Sequence, residues 1–93
     1  MTYKVLIIDD EPPARDIIKY YLTSFPELTL IGEEEDGFSG LKTIRELKPD
    51  LVFLDVQMPR LTGFEMLELL EDPPIIIFRE GKAFLAERRI CLQ

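Results

Sequence analysis

The stretch that decides the fold is PDLVFLDVQMPRLTG, residues 49–63. Residues 51–54 form a continuous apolar run, which is typical of a strand buried on both faces. The run stops on Asp55, and Met58-Pro59 and Gly63 after it suit a tight loop. Asp55 at the end of a buried strand has two interpretations. It is either a functional group or an aspartate that only begins a turn.

Other segments of the chain repeat this pattern of buried run and loop. Apolar runs at residues 4–8, 28–31 and 75–78 predict three more strands. Helical spacing of apolar residues predicts helices from Ala14 to Leu22, from Leu41 to Leu47 and from Phe64 to Leu70. Strands that alternate with helices indicate βαβ units, so we expect an α/β fold with a doubly wound parallel sheet between helical layers.

Composition and length indicate one small globular domain. The chain has 93 residues, of which 46% are hydrophobic and 31% are charged. No apolar run reaches the roughly 18 residues of a membrane span. Acids follow the first apolar run where a signal peptide would need small residues. We therefore expect a cytoplasmic protein that does not bind membranes.

Charge and cysteine content exclude further classes of function. The net charge is −7, whereas binding to a phosphate backbone needs clustered Lys and Arg, so we expect no direct nucleic-acid binding by this chain. The single cysteine, Cys91, rules out a disulfide within the chain and cannot alone form a thiolate metal site.

Three acids follow two of the predicted strands. Asp9 and Asp10 come after the first strand and Asp55 ends the third, and the carboxyl ends of parallel strands lie at one edge of a sheet. Taken singly, Asp10 could cap a helix and Asp55 could start a turn. Together they would repel, since two carboxylates about 4 Å apart cost about 4 kcal/mol at an effective dielectric of 20. A hard cation such as Mg²⁺ would relieve this repulsion.

A metal ion beside Asp55 suggests that this carboxylate is a nucleophile. A bound Mg²⁺ can neutralise an incoming phosphoryl group and hold it for attack, and the product would be an aspartyl phosphate. Asp55 is the better candidate because a central strand holds it, while Asp9 and Asp10 suit the metal. The backbone carbonyl of Gln57 would be a further ligand.

These motifs closely resemble one known family. VLIIDDEPPAR, EDGFSGL and PDLVFLDVQMPRLTGFEML resemble the receiver domain of two-component response regulators, especially receivers that precede a LytTR-type DNA-binding domain. The resemblance runs from about residue 3 to residue 78. It implies a flavodoxin-like (CheY-like) fold with sheet order 2-1-3-4-5, and phosphoryl transfer from a sensor histidine kinase to Asp55. It also implies Mg²⁺ binding by Asp9, Asp10, Asp55 and the Gln57 carbonyl, and transcription control as output.

The sequence departs from the family after the fourth strand. Family members place Thr or Ser at the end of that strand and continue through a fourth helix, a fifth strand ending in Lys-Pro and a fifth helix. Here Phe78 is followed by Arg79, and Lys82 does not match the family's phosphate-binding lysine. We therefore expect an incomplete receiver over residues 1–78, lacking the fifth strand and fifth helix, with an atypical, weakly helical tail over residues 79–93.

The missing elements would leave the edge of the fourth strand exposed. Either the tail folds back over this gap or the chain self-associates, as a dimer, through that edge. Without the family's hydroxyl and lysine, phosphoryl transfer to Asp55 should be slow.

We expect a phosphoacceptor rather than an enzyme. The sequence leaves two alternative functions open. A haloacid-dehalogenase-like phosphotransferase also has an aspartate nucleophile after an apolar strand, but it needs a second Asp two positions later, where Gln57 stands. A degenerate receiver could instead bind partners without phosphorylation, and partner binding that persists after Asp55→Asn would identify it. The acidic stretch at residues 33–36 is interpreted as a solvated loop.

Overall fold

The protein forms one five-stranded sheet with helices on both faces. This description comes from a computed structural model, and it covers the backbone of residues 1–80 and 83–87 and the side chains of residues 1–79. The strands are β1 (Tyr3–Ile8), β2 (Leu28–Glu34), β3 (Leu51–Asp55), β4 (Ile75–Glu80) and β5 (Ala83–Glu87). Their order in the sheet is β2-β1-β3-β4-β5, and the first four strands are parallel. The expected α/β, flavodoxin-like fold is confirmed.

The helices between these strands are α1 (Pro12–Leu22), α2 (Gly37–Leu47) and α3 (Gly63–Glu68). α3 ends at Glu68 and is therefore shorter than the apolar pattern to Leu70 predicts. Asp36 caps α2 by accepting a hydrogen bond from the Ser39 amide at 2.8 Å. A capping box between Thr62 and Glu65 begins α3. Local side chains thus fix the starts of α2 and α3, whereas α1 has no side-chain cap and begins with two prolines.

The core lies on both faces of the central strands, as the continuous apolar runs predict. On one face, Leu6 and Ile8 of β1 lie in a buried cluster with Leu41 and Ile44 of α2. Residues of β3, β4, α3 and the loop after β3 complete this cluster. The alternate residues of β1 point to the opposite face, where α1 contacts β1 and β2. Strands covered on both faces explain why the sequence shows no alternation.

The expectations for the end of the chain need correction. The fourth strand does not stop at Phe78 but continues through Arg79 to Glu80. The tail was expected to be weakly helical, and this is wrong for Ala83–Glu87, which forms β5 antiparallel to β4. A strand therefore occupies the fifth position of the sheet, but in the direction opposite to the other four. Cys91 and Lys82 lie outside the described residues.

The pairing of β4 with β5 also changes the expectation for self-association. The backbone of β4 is paired from Ile76 to Glu80 with β5, so the edge that we expected to be exposed is covered. Of the two alternatives, the structure shows the tail folded back, and a dimer through an exposed β4 edge is not supported. The dimer is not supported because the β4 edge that it would use is already hydrogen-bonded to β5.

Strand β2 is longer than the apolar run at residues 28–31 predicts. β2 runs to Glu34, so part of the acidic stretch at residues 33–36 is strand rather than loop. Within the described part of the chain, no helix combines the length and apolar character that crossing a membrane requires.

Candidate functional site

Three aspartates converge at the carboxyl edge of the sheet. Asp9 directly follows β1 and Asp55 ends β3, and these two strands are neighbours. One carboxylate oxygen from each of Asp9, Asp10 and Asp55 lies within 4.8 Å of the others. Asp9 and Asp55 are buried and Asp10 is half-buried. The structure therefore brings together the three acids that the sequence predicts, at the predicted edge.

Backbone amides orient two of these carboxylates. The Glu11 amide donates to Asp9 Oδ1 at 3.0 Å, and the Gln57 amide donates to Asp55 Oδ1 at 3.1 Å. Each bond joins an aspartate to the amide two residues later, which is the geometry of an Asx turn. The Gln57 amide thus contacts Asp55, while the assignment of the Gln57 carbonyl as a metal ligand stays a prediction.

The loop after β3 is held close behind Asp55. Met58 and Leu61 of this loop are buried in the core, and the Gly63 amide donates to the Val56 carbonyl at 2.9 Å. A Cβ atom at Gly63 would lie 2.5 Å from the Asp55 carbonyl oxygen. Glycine is needed here because the backbone passes so close to Asp55.

Arg79 is a site residue that the sequence reasoning missed. Its Nε donates to Asp9 Oδ2 at 2.5 Å and its Nη2 donates to Asp9 Oδ1 at 2.9 Å. The same Nη2 lies 3.1 Å from Asp55 Oδ2 and 3.1 Å from Glu11 Oε1. Arg79 therefore places a guanidinium among the acids. The sequence contains one signal for this position, a charged residue directly after an apolar strand at the acidic edge, although the resemblance marks it only as a departure from the family.

Burial and neighbouring charge change the ionisation of this cluster. Burial, a hydrogen bond with the Asp10 carboxyl and the charge of Asp9 raise the pKa of Asp55 to about 7, against the lowering effects of the Gln57 amide and Arg79. The pKa of Arg79 is raised above its usual range, and the hydrogen bond to the Asp9 carboxylate is the largest cause. Arg79 is therefore charged at any working pH.

A second group of charges fixes α1 against the sheet beside the site. Arg15 of α1 donates through Nη1 to the Asp9 carbonyl at 2.6 Å and through Nε to Glu33 at 3.2 Å. Lys19 lies 3.0 Å from the same Glu33. These contacts bring α1 to the end of β1, although exposed pairs of this kind contribute little to stability.

The chemistry of the donors fits a divalent metal ion. Carboxylate oxygens from three aspartates form a hard, all-oxygen donor set of the type that Mg²⁺ prefers. Asp9, Asp10 and Asp55 would hold the ion. The guanidinium of Arg79 contacts two of these three acids in the present structure.

Comparison with known proteins gives a consistent result. The sequence matches the family described as "Response regulator receiver domain" over residues 5–88. It is 42% identical over 77 residues to the transcriptional regulatory protein BtsR of Escherichia coli K12, covering 81% of this chain and 32% of that protein. It is 44% identical over 75 residues to an uncharacterized response regulatory protein of Vibrio vulnificus, covering 78% of this chain and 31% of the relative.

Solved structures agree with the sequence relatives. The response regulator domain of Thermotoga maritima CheB superimposes with a TM-score of 0.81 at 31% identity, over 87% of this chain and 62% of that one. The chain spans about a third of the length of the curated relatives above. Matched motifs, the parallel sheet and the acids at its edge lead to one conclusion: this chain belongs to the response regulator receiver domain family.

Proposed function

We propose that this chain is a phosphoacceptor, in which Asp55 receives a phosphoryl group from a sensor histidine kinase. The observation that carries the proposal is the placement of Asp55 at the end of a central strand, with Asp9 and Asp10 within 4.8 Å. In the transfer, an Asp55 carboxylate oxygen forms a bond to phosphorus while the bond from phosphorus to the histidine nitrogen breaks. The chain accepts the group and, on this proposal, has no turnover of its own.

The same proposal includes Mg²⁺ as cofactor, held by Asp9, Asp10, Asp55 and the Gln57 carbonyl. When bound, the ion would neutralise charge on the phosphoryl group. The residues of the chain supply the remaining requirements: the Gln57 amide orients Asp55, and Gly63 allows the loop to close behind it. Asp9 supplies a carboxylate that is held by the Glu11 amide.

We also propose that the output is control of transcription in the cytoplasm. A relative named a transcriptional regulatory protein supports this output, and the DDEPPAR motif supports a LytTR-type subtype. Any contact with DNA would be made by other parts of a longer protein, because the net charge of this chain is −7.

The test is intact mass spectrometry after incubation with Mg²⁺ and acetyl phosphate. We expect one added phosphoryl group on the native chain and on Asp72→Asn, and none on Asp55→Asn. Asp72 is a matched control because it is an exposed aspartate at the opposite edge of the sheet. A folded native chain that gains no phosphoryl group would contradict the proposal.

A second function, binding of partners without phosphorylation, is favoured by one observation. Arg79 lies in the acid cluster and contacts Asp55 Oδ2 at 3.1 Å, so the site is neutralised in part without phosphate or metal. If this is the function, partner binding will be equal for the native chain and Asp55→Asn.

A further inference from the structure

The acid cluster contains a cation that belongs to the chain itself. Arg79 contacts Asp9, Asp55 and Glu11 through its guanidinium. Its side chain is 10% exposed, and the side chains of Asp9 and Asp55 are 1% and 5% exposed. This charge therefore lies among the carboxylates and not on the surface beside them.

The backbone places Arg79 at this position. Arg79 pairs with Asp55 in the register of β3 and β4, and the Val56 amide donates to the Arg79 carbonyl at 3.1 Å. Partners in register project their side chains to the same face of a sheet. The side chain of Arg79 can thus reach Asp9 across β3 without any distortion of the strand.

Arg79 uses the oxygens that a metal ion would need. Both oxygens of Asp9 accept from the guanidinium, which forms the two-point contact typical of arginine and carboxylate. Asp55 Oδ2 is also in contact with Arg79, and Asp55 Oδ1 accepts from the Gln57 amide. A divalent ion on these oxygens would lie next to a buried positive charge, which is unfavourable at low dielectric.

We propose that Arg79 is the resident cation of this site and competes with a divalent metal ion for Asp9 and Asp55. Metal binding then requires the guanidinium to leave both carboxylates. This inference rests on the proposed metal site, and it adds that one residue of the chain sets the affinity of that site.

The first test measures the affinity for Mn²⁺, used as the probe in place of Mg²⁺, by the loss of the electron paramagnetic resonance signal of free Mn²⁺. We compare the native chain with Arg79→Gln and with Arg45→Gln. Arg45 is the matched control because it is an exposed arginine on α2, bonded to the Leu69 carbonyl and remote from the acids. We expect Arg79→Gln to bind Mn²⁺ at least tenfold more tightly than the native chain, and Arg45→Gln to match the native chain.

Two results would overturn the inference, and they differ in what they say about the proposed function. Equal Mn²⁺ affinity of the native chain and Arg79→Gln would overturn the competition and leave the proposed metal site standing. Absence of Mn²⁺ binding by both folded proteins would overturn the competition and remove the metal from the proposed function as well.

A second measurement uses only the native chain, in case Arg79→Gln does not fold. The side-chain Nε–H signal of Arg79 is followed by nuclear magnetic resonance while Mg²⁺ is added, with Arg45 as the internal reference. We expect the Arg79 signal to move together with the backbone amides of Asp9 and Gln57. Shifts of these amides with an unchanged Arg79 signal would overturn the inference.

Discussion

Arg79 and Asp55 lie opposite each other in neighbouring strands, and their contact shows how the charge of one residue changes a site. The guanidinium lies 3.1 Å from Asp55 Oδ2 and forms two bonds to Asp9. Removing one partner of a buried ion pair leaves the other charge without compensation, whereas an exposed pair is screened by water. Burial therefore decides which charges of this chain matter for stability.

This difference predicts unequal effects of two substitutions. Arg79→Gln should lower the free energy of unfolding by about 3 to 5 kcal/mol in metal-free buffer, because Asp9 and Asp55 lose their buried cation. Lys19→Gln should have a much smaller effect on stability, because its pair with Glu33 is exposed and screened by water. Urea unfolding followed by circular dichroism measures both. Equal losses would contradict the assignment of Arg79 to a buried network.

A second prediction at this scale concerns Gly63. Gly63→Ala should destabilise the fold by roughly 1 to 3 kcal/mol, because the new methyl group would lie 2.5 Å from the Asp55 carbonyl oxygen and overpack the loop. Gly32→Ala is the control, since its methyl group would meet only the end of the Leu6 side chain, at 3.3 Å, and no backbone atom. Thermal unfolding compares the two. A smaller loss for Gly63→Ala than for Gly32→Ala would show that the loop can move.

At the scale of elements, helix caps explain where α2 begins. The Asp36 carboxylate accepts from the Ser39 amide at 2.8 Å, and this bond lowers the pKa of Asp36. A carboxyl whose pKa is lower in the folded state stabilises the fold above its unfolded pKa, and this contribution is lost as pH falls through the folded value. The cap is therefore strongest at neutral pH.

The cap gives a prediction with a pH dependence. Asp36→Ala should lower the free energy of unfolding by about 1 kcal/mol at pH 7, whereas Asp36→Asn should cost less because asparagine also caps helices. Below the folded pKa of Asp36, the difference between the native chain and Asp36→Asn should disappear. Chemical unfolding at several pH values measures it, and a difference that grows in acid would contradict the role of the Asp36 charge.

The elements also show how far the sequence alone can predict this fold. The runs that end at Ile8 and Asp55 are apolar and bounded by acids, so both strands and the convergence of their acids follow from the sequence. The position of β5 does not follow from the sequence, because Ala83–Glu87 pairs with β4 through backbone hydrogen bonds that any residue except proline can form. The contacts of Arg79 depend on the register of β3 and β4, which periodicity does not specify.

At the scale of the whole molecule, β5 forms the edge of the sheet next to β4. The central strands are covered on both faces where α1 and α2 pack. By contrast, Phe53 of β3 and Ile77 of β4 are only half-buried. β5 pairs with β4 along Ile76 to Glu80, so β4 is an internal strand. An unpaired strand of this apolar character would template association between chains.

The prediction is that β5 keeps the chain from associating through β4. A chain shortened to end at residue 80 should form larger species, whereas a chain that ends at residue 87 should behave as the full chain does. Multi-angle light scattering after gel filtration measures the mass of each. If the chain that ends at residue 80 has the mass of a monomer and remains folded, β5 does not have this role.

On the proposed function, Asp55 is the residue that carries the phosphoryl group. The most direct measurement is reduction of the acetyl phosphate-treated protein with borohydride, which converts an aspartyl phosphate to homoserine, followed by peptide mass spectrometry. We predict homoserine at position 55 and intact aspartate at positions 9 and 10. Homoserine at position 9 or 10, or no conversion in a folded protein with Mg²⁺ present, would contradict the account.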